Sequence, residues 1–207
     1  MKDVILIDAG TGNLRSVQKA LETIGANVIR TDDPHAVRRV LTRKHVVLPG
    51  VGAFGDFMSG LRARGLEDSV KEIIQKKIPL LGICVGMQAL FDIGEEMGEH
   101  KGLGILSGKV IAFPKISELK IPHTGWNQID FKKDALLFNQ VDDGAYVYFN
   151  HSYYCQPENP VDILAATDYG LKLVCAVQHE NVFGVQFHPE KSQHVGLQIL
   201  KNFLETT

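Results

Sequence analysis

Four short strand-like runs, each leading into a turn or a helix-like segment, constrain this chain more than any other feature. They are Val4–Asp8 (VILID), Asn27–Arg30, His45–Leu48 (HVVL) and Pro79–Cys84 (PLLGIC). Unbroken apolar runs of this length belong to strands buried on both faces, so the first half is expected to build a parallel sheet covered by helices. The segments between the runs fit that expectation. Asn13 stands at an N-cap position for a helix reaching about Ile24, with Leu14, Val17, Leu21 and Ile24 on one stripe and Gly25 closing it. Pro34 suits the first turn of a second helix. Beyond about residue 103 the texture becomes strand-rich. Runs at Lys109–Phe113, Trp126–Phe131, Tyr146–Phe149, Ile163–Ala166, Leu173–Val177 and Val182–Phe187 follow closely, and a last helix is expected from about Gln193 to Leu204. No Pro-rich or Gly/Ser-rich linker separates the halves, so residues 1–207 are expected to form a single domain.

Composition then removes several functions. The chain carries 22 Lys and Arg against 24 Asp and Glu, a net charge of −2, which lacks the basic surplus of a nucleic-acid binder. The N-terminal apolar run is too short for a signal peptide, and no stretch approaches the ~18 apolar residues of a membrane span. Three cysteines with no CxxC spacing indicate neither a disulfide framework nor a zinc ribbon. The histidines show no HExxH or similar spacing, and no metal or cofactor is expected. A cytoplasmic, soluble protein fits these bounds.

Chemistry concentrates first at Gly82-Ile83-Cys84-Val85-Gly86, where an apolar strand runs into GxCxG and then into the helical pattern Met87–Phe91. That is the form of a nucleophile elbow, a sharp strand-to-helix turn that exposes one reactive side chain. The following helix would aim its amides at the sulfur and favour the thiolate. Val85 would offer one oxyanion donor. The plainer alternative for a lone cysteine is a small buried apolar residue. A thiol nucleophile also needs a base. Phe187-His188-Pro189-Glu190 ends a strand run, so His188 can serve as acid and base with Glu190 orienting it, in the chain order Cys, His, Glu. Alone, this second motif reads equally as a strand end followed by a solvated turn.

Gly50-Val51-Gly52-Ala53-Phe54-Gly55 satisfies G-x-G-x-x-G after a strand, so a nucleotide-binding module is a competing reading. It follows the third strand rather than the first, and over twenty residues pass before the next strand could supply an acid for a ribose. The other reading is a flexible loop facing the elbow, whose amides complete an oxyanion hole. Gly10-Thr11-Gly12-Asn13 lies at the end of the first strand, the edge where ligands bind in such sheets, and is equally a simple turn. Cys155 and Cys175 lack any elbow context and read as structural.

PGVGAFG at 49–55, PLLGICVGMQ at 79–88 and GVQFHPEKS at 184–192 together resemble the class I (triad) glutamine amidotransferases. DAGTGNLRSV at 8–17, PHTGWN at 122–127 and YFNHSYY at 148–154 make the chain similar to their branch that serves imidazole glycerol phosphate synthesis. Thr124 departs from the methionine usual in that branch. A paralogous branch supplying a surface-sugar aminating enzyme shares much of the pattern. The resemblance implies a flavodoxin-like, open, mostly parallel α/β sheet with helices on both faces and a β-rich C-terminal portion. It implies glutamine as substrate, a cysteinyl thioester on Cys84, His188 as acid/base and Glu190 as orienter. Val85 and Val51 become the oxyanion amides, the latter after the Gly50–Val51 peptide reorients. Gly52, Gln88, Ser152 and Tyr153 become glutamine-holding residues. Asn13, Tyr148 and Lys191 match positions near a (β/α)8-barrel cyclase partner, with which a heterodimer is implied.

Overall fold

A computed structural model describes residues 2–39, 45–115 and 119–206. The chain opens with β1 (Lys2–Ile7), α1 (Leu14–Thr23), β2 (Ala26–Thr31), α2 (Pro34–Arg39) and β3 (His45–Gly50). Next come α3 (Phe54–Ala63), α4 (Leu66–Gln75), β4 (Leu80–Cys84) and α5 (Val85–Gln88). Strands then dominate: β5 (Phe91–Gly94), β6 (His100–Lys101), β7 (Leu106–Ala112), β8 (His123–Gln128) and β9 (Asp130–Phe131). The remainder is β10 (Tyr146–His151), β11 (Tyr153–Pro157), β12 (Ile163–Asp168), β13 (Lys172–His179), β14 (Val182–Val185) and α6 (Gln193–Glu205).

The main sheet runs in the order β2-β1-β3-β4-β14-β13-β11-β7-β5-β6. From β2 to β14 every pairing is parallel, and the first four strands follow the 2-1-3-4 order of flavodoxin-like sheets. Every residue of β3, β4 and β14 is buried, as the unbroken apolar runs require. From β14 onward the path turns antiparallel through β13, β11 and β7. A separate antiparallel pair, β8 and β10, sets His123 directly opposite His151 and Trp126 opposite Tyr148. No helix among the described residues is long and apolar enough to cross a membrane.

Several boundaries differ from the sequence reading, each for a visible reason. The helix read over Met87–Phe91 ends at Gln88. The amides of Leu103, Ile105 and Leu106 bond the carbonyls of Ala89 and Leu90, so tertiary pairing draws the chain into β5. The run Trp126–Phe131 is divided at Ile129 between two sheets, β8 pairing β10 and β9 pairing β12. Asn13 occupies the N-cap of α1 without a side-chain cap bond, and its Oδ1 accepts from Ser16 Oγ instead. The Gly50–Gly55 loop is shorter than expected, because Gly50 ends β3 and Phe54 opens α3.

The crossing of β3, β4 and α5 is tight enough to dictate glycine. A Cβ on Gly86 would lie 1.8 Å from the Leu48 carbonyl oxygen, and one on Gly82 would lie 2.5 Å from that of Gly86. Neither neighbour is a flexible side chain that could yield. Gly86→Ala is therefore expected to destabilise the chain by about 3 kcal/mol or more, the upper range for forced overpacking. Urea unfolding of wild type and variant checks this, and an unchanged midpoint would contradict the contact.

Candidate active site

The carboxyl ends of β3 and β4 and the segment after β14 surround a cavity of about 200 Å³. Cys84 lies at its floor, the last residue of β4 and the N-cap of α5, with φ 54° and ψ −111°. A non-glycine residue in that conformation costs on the order of 1–3 kcal/mol and persists only where packing enforces it. The enforcement is the Gly82–Gly86 crossing. Helix α5 is a single turn, so what it offers the sulfur is a few local amides, a smaller effect than the dipole of the longer helix read from sequence.

His188 faces the same cavity, 3% exposed. Its Nδ1 lies 2.8 Å from Glu190 Oε1, whose side chain is 1% exposed behind it. The His188 backbone is clamped from both ends. Its amide donates to the Tyr148 carbonyl (2.8 Å). Its carbonyl accepts from the buried Ser192 hydroxyl (2.7 Å), which in turn accepts from the Tyr148 amide (3.0 Å). Burial works against the imidazolium most strongly, yet hydrogen bonds to Cys84 and Glu190, with their charges, outweigh it and push His188 up to about 10.

Val51, Gly52, Val85, Gln88, Ser152, Tyr153 and Lys191 also line this cavity. Gly52 holds φ +92°, a conformation open to glycine at no steric cost. Gln88, however, has both amide hydrogens engaged inside the protein, on Tyr153 O (3.2 Å) and Gln186 Oε1 (3.0 Å). Only its carbonyl oxygen is left for a ligand. Tyr148 stands outside, its ring beneath Lys191 Nζ at 5.3 Å. Asn13 is at the start of α1 and does not line the cavity.

Glu96, Ser192 and Gln186 are among the residues left without a role in the sequence reading. Glu96 lines the cavity and its carboxylate accepts the Phe54 amide at 2.7 Å, at the N-terminus of α3. That amide is where a pyrophosphate would dock. A protein carboxylate already holds it, and the Cβ space of Gly55 is filled by the His100 ring; the nucleotide reading falls. Ser192 and Gln186 are the other two, both 0% exposed. Glu96 gives no local signal, since it stands in an acidic, turn-like stretch. Gln186 could have been found as a polar residue inside an otherwise apolar strand run.

His151 also lines the cavity, but both its nitrogens are engaged, Nε2 with His123 Nδ1 (3.0 Å) and Nδ1 with Tyr153 O (2.8 Å). Burial pushes His151 down to about 3, with lesser contributions from the charges of His123 and His188. Burial likewise pushes His123, stacked between Phe149 and Tyr169, down to about 4. Burial raises the thiols of Cys155 and Cys175 well above their ordinary value, which keeps them neutral.

The sequence as a whole matches the family model for glutamine amidotransferase class-I over residues 5–207. It is 49% identical over 203 residues to imidazole glycerol phosphate synthase subunit HisH of Salinibacter ruber, covering 96% of this chain and 92% of that one. The chain belongs to the class-I glutamine amidotransferases, in their HisH family. HisH of Syntrophotalea carbinolica is 48% identical over 97% of this amidotransferase and 98% of the relative. HisH of Aquifex aeolicus is 48% identical over 96% and 94%. Solved structures agree on the fold. A crystal structure of a glutamine amidotransferase has a TM-score of 0.75 at 19% identity, covering 97% of both chains. PurLQS from Thermotoga maritima has 0.74 at 19%, covering 99% of this chain and 98% of that one.

The two buried neutral imidazoles make a stability prediction. Unfolded, each takes up a proton near 6.5; folded, His123 does so only near 4 and His151 only near 3. Between those values the unfolded chain binds more protons, so stability rises with pH and is lost as pH falls below about 6.5. Each imidazole contributes a slope of about 1.4 kcal/mol per pH unit where it is fully protonated only in the unfolded chain. Urea unfolding between pH 6 and 5 is expected to flatten by about that amount in His123→Phe. An unaltered slope would place the proton uptake elsewhere.

Proposed function

We propose that this amidotransferase is the glutaminase subunit of an imidazole glycerol phosphate synthase. It hydrolyses glutamine to glutamate and ammonia through a thioester on Cys84, and hands the ammonia to a (β/α)8-barrel cyclase in cytoplasmic histidine biosynthesis. The observation that carries the reading is the strained cysteine at the mouth of β4, sharing one cavity with His188, which Glu190 backs at 2.8 Å.

In the resting site the proton sits on His188, held there by hydrogen bonds to Cys84 and Glu190 against the cost of burial. The thiolate attacks the carboxamide carbon, and the amides of Val85 and Val51 receive the developing oxyanion. His188 gives its proton to the departing nitrogen, ammonia leaves, and the thioester remains. Neutral His188 then takes a proton from water, whose oxygen attacks the thioester carbon. Glutamate departs and the thiolate–imidazolium pair is restored. Gly52, Ser152, Tyr153 and the Gln88 carbonyl hold the substrate, and the Glu96 carboxylate is suited to its α-ammonium group.

The partner face is proposed on the β8–β10 pair. Trp126 is 46% and Tyr146 53% exposed there, and exposed aromatics of this kind favour a protein partner. Tyr148 and Lys191 adjoin them, and Asn13 extends the surface from α1. Lys191 follows Glu190 directly, so docking acts one residue from the pair that carries the proton.

Cys84→Ser and His188→Asn are each expected to lower glutamine turnover, measured with the barrel subunit present, by about 10⁶-fold. Glu190→Gln is expected to lose about 10⁴-fold, because an orienting group transfers no proton. Turnover near wild type in Cys84→Ser would remove the cysteine from the mechanism.

A further inference from the structure

The Cys84 sulfur has a third neighbour that the mechanism above leaves unused. Gln186 Nε2 lies 3.6 Å from Cys84 Sγ, and Gln186 is 0% exposed. A carboxamide can present either its oxygen or its nitrogen, so the orientation has to be derived. Tyr153 O is a backbone carbonyl and can only accept. Gln88, 3.2 Å from it, must therefore present its nitrogen there. The second hydrogen of that nitrogen points at Gln186, 3.0 Å away, which must answer with its oxygen. The nitrogen of Gln186 is then left facing the sulfur.

The far end of the same chain fixes Tyr153 O independently. Asn127 Nδ2 lies 2.8 Å from the Asp168 carbonyl and 3.3 Å from His123 Nε2, so it donates to both and His123 Nε2 accepts. His123 then carries its proton on Nδ1 and gives it to His151 Nε2 (3.0 Å), and His151 Nδ1–H donates to Tyr153 O (2.8 Å). Every amide and imidazole in the train has one consistent orientation. Such a chain holds its members more firmly than isolated pairs would.

We propose that Gln186 is a further catalytic residue, its side-chain N–H supporting the negative charge on the Cys84 sulfur, with Gln88 as the positioning residue that holds it in that orientation. This rests on Cys84 being the nucleophile. The donor is buried, so it works where water does not compete, and a hydrogen bond to a charged acceptor is stronger than one between neutral groups. The sulfur is the acceptor that the Gln186 nitrogen has in this pocket; a methionine would fill the same space without a polar group to bury. The other titratable groups around Cys84 are His188, after β14, Cys155, on β11, whose thiol burial keeps neutral, and Glu96, His151 and Lys191, which line the same cavity.

The test is the pH profile of Cys84 alkylation by iodoacetamide, read by peptide mass spectrometry on the full chain. Gln186→Met is expected to move the half-maximal pH upward by about one unit, which is about tenfold slower labelling on the acid side. Gln88→Met leaves Gln186 present but free to turn, and is expected to shift the profile the same way by less. Profiles coincident with wild type in folded variants would overturn the proposal, since a packing role does not move this midpoint. Should Gln186→Met fail to fold, the wild-type chain decides. Its Gln186 side-chain amide resonance should move with the alkylation midpoint, and a resonance that stays fixed through it overturns the proposal. Glutamine turnover of Cys84→Ser separates the two readings. Retained turnover removes the nucleophile assignment, whereas lost turnover with coincident profiles removes Gln186 alone.

Discussion

The carbonyl oxygen of Leu48 sits where a side chain on residue 86 would begin, and the geometry of the site follows from that contact. With no Cβ at Gly86, α5 can press against the end of β3, and the chain leaving β4 must turn at once. Cys84 takes the strain of that turn at φ 54°. A conformation costing a few kcal/mol needs rigid surroundings, and β3, β4 and β14, buried at every position, supply them. Fixing the backbone there fixes where the sulfur projects. The floor of the cavity is therefore a consequence of sheet packing, with little left to the loops.

The walls depend on a second element that the main sheet does not contain. Strand β10 reaches His188 through its backbone, where the Tyr148 carbonyl and amide hold His188 and Ser192. Three residues further along, His151 reaches Tyr153 O and through it Gln88. One short strand thus braces both sides of the site. Because β10 pairs with β8 in an isolated ribbon, and its outer face carries exposed aromatics, whatever presses on that face bears on the His188 clamp. The ribbon gives one route from the exposed aromatics to the His188 clamp, through the Tyr148 backbone.

The parallel half of the fold was legible because its signal is local. Buried strands read as unbroken apolar runs, and the helices between them show stripes that burial then fills, as with Leu14, Val17 and Leu21 on α1. Cys84 and the His188–Glu190 pair were legible because elbow and strand-end chemistry leave short motifs. What the sequence could not yield was decided by distant partners. The carbonyls of Ala89 and Leu90 are taken by residues more than a dozen positions away, so the helix that Met87–Phe91 favours locally is cut short. Ile129 is buried between two sheets, a division invisible in a run of strand formers. Glu96, from an acidic loop, reaches the cavity only because β5 and β6 bring that loop to α3. Gln88 matched a substrate-holding position, yet its two donors are engaged by groups 65 and 98 residues away.

Two imidazoles open onto one cavity, and their surroundings drive them in opposite directions. His188 has a carboxylate on one side and a sulfur on the other, and is pushed up to about 10. His151 is equally buried, but its neighbours are a second imidazole and a carbonyl, and it is pushed down to about 3. At neutral pH one is a cation and the other cannot become one. Divergent proton affinities of this kind assign roles more firmly than distance does. In the proposed acylation the acid must already hold its proton when the carbon–nitrogen bond breaks, and a raised His188 fits that part. Neutral His151 instead orients, through Tyr153 and Gln88, the amide that faces the sulfur. The polar groups that line the cavity beside His188 are thus arranged in part by neutral hydrogen bonds, through His123, His151, Tyr153 and Gln88.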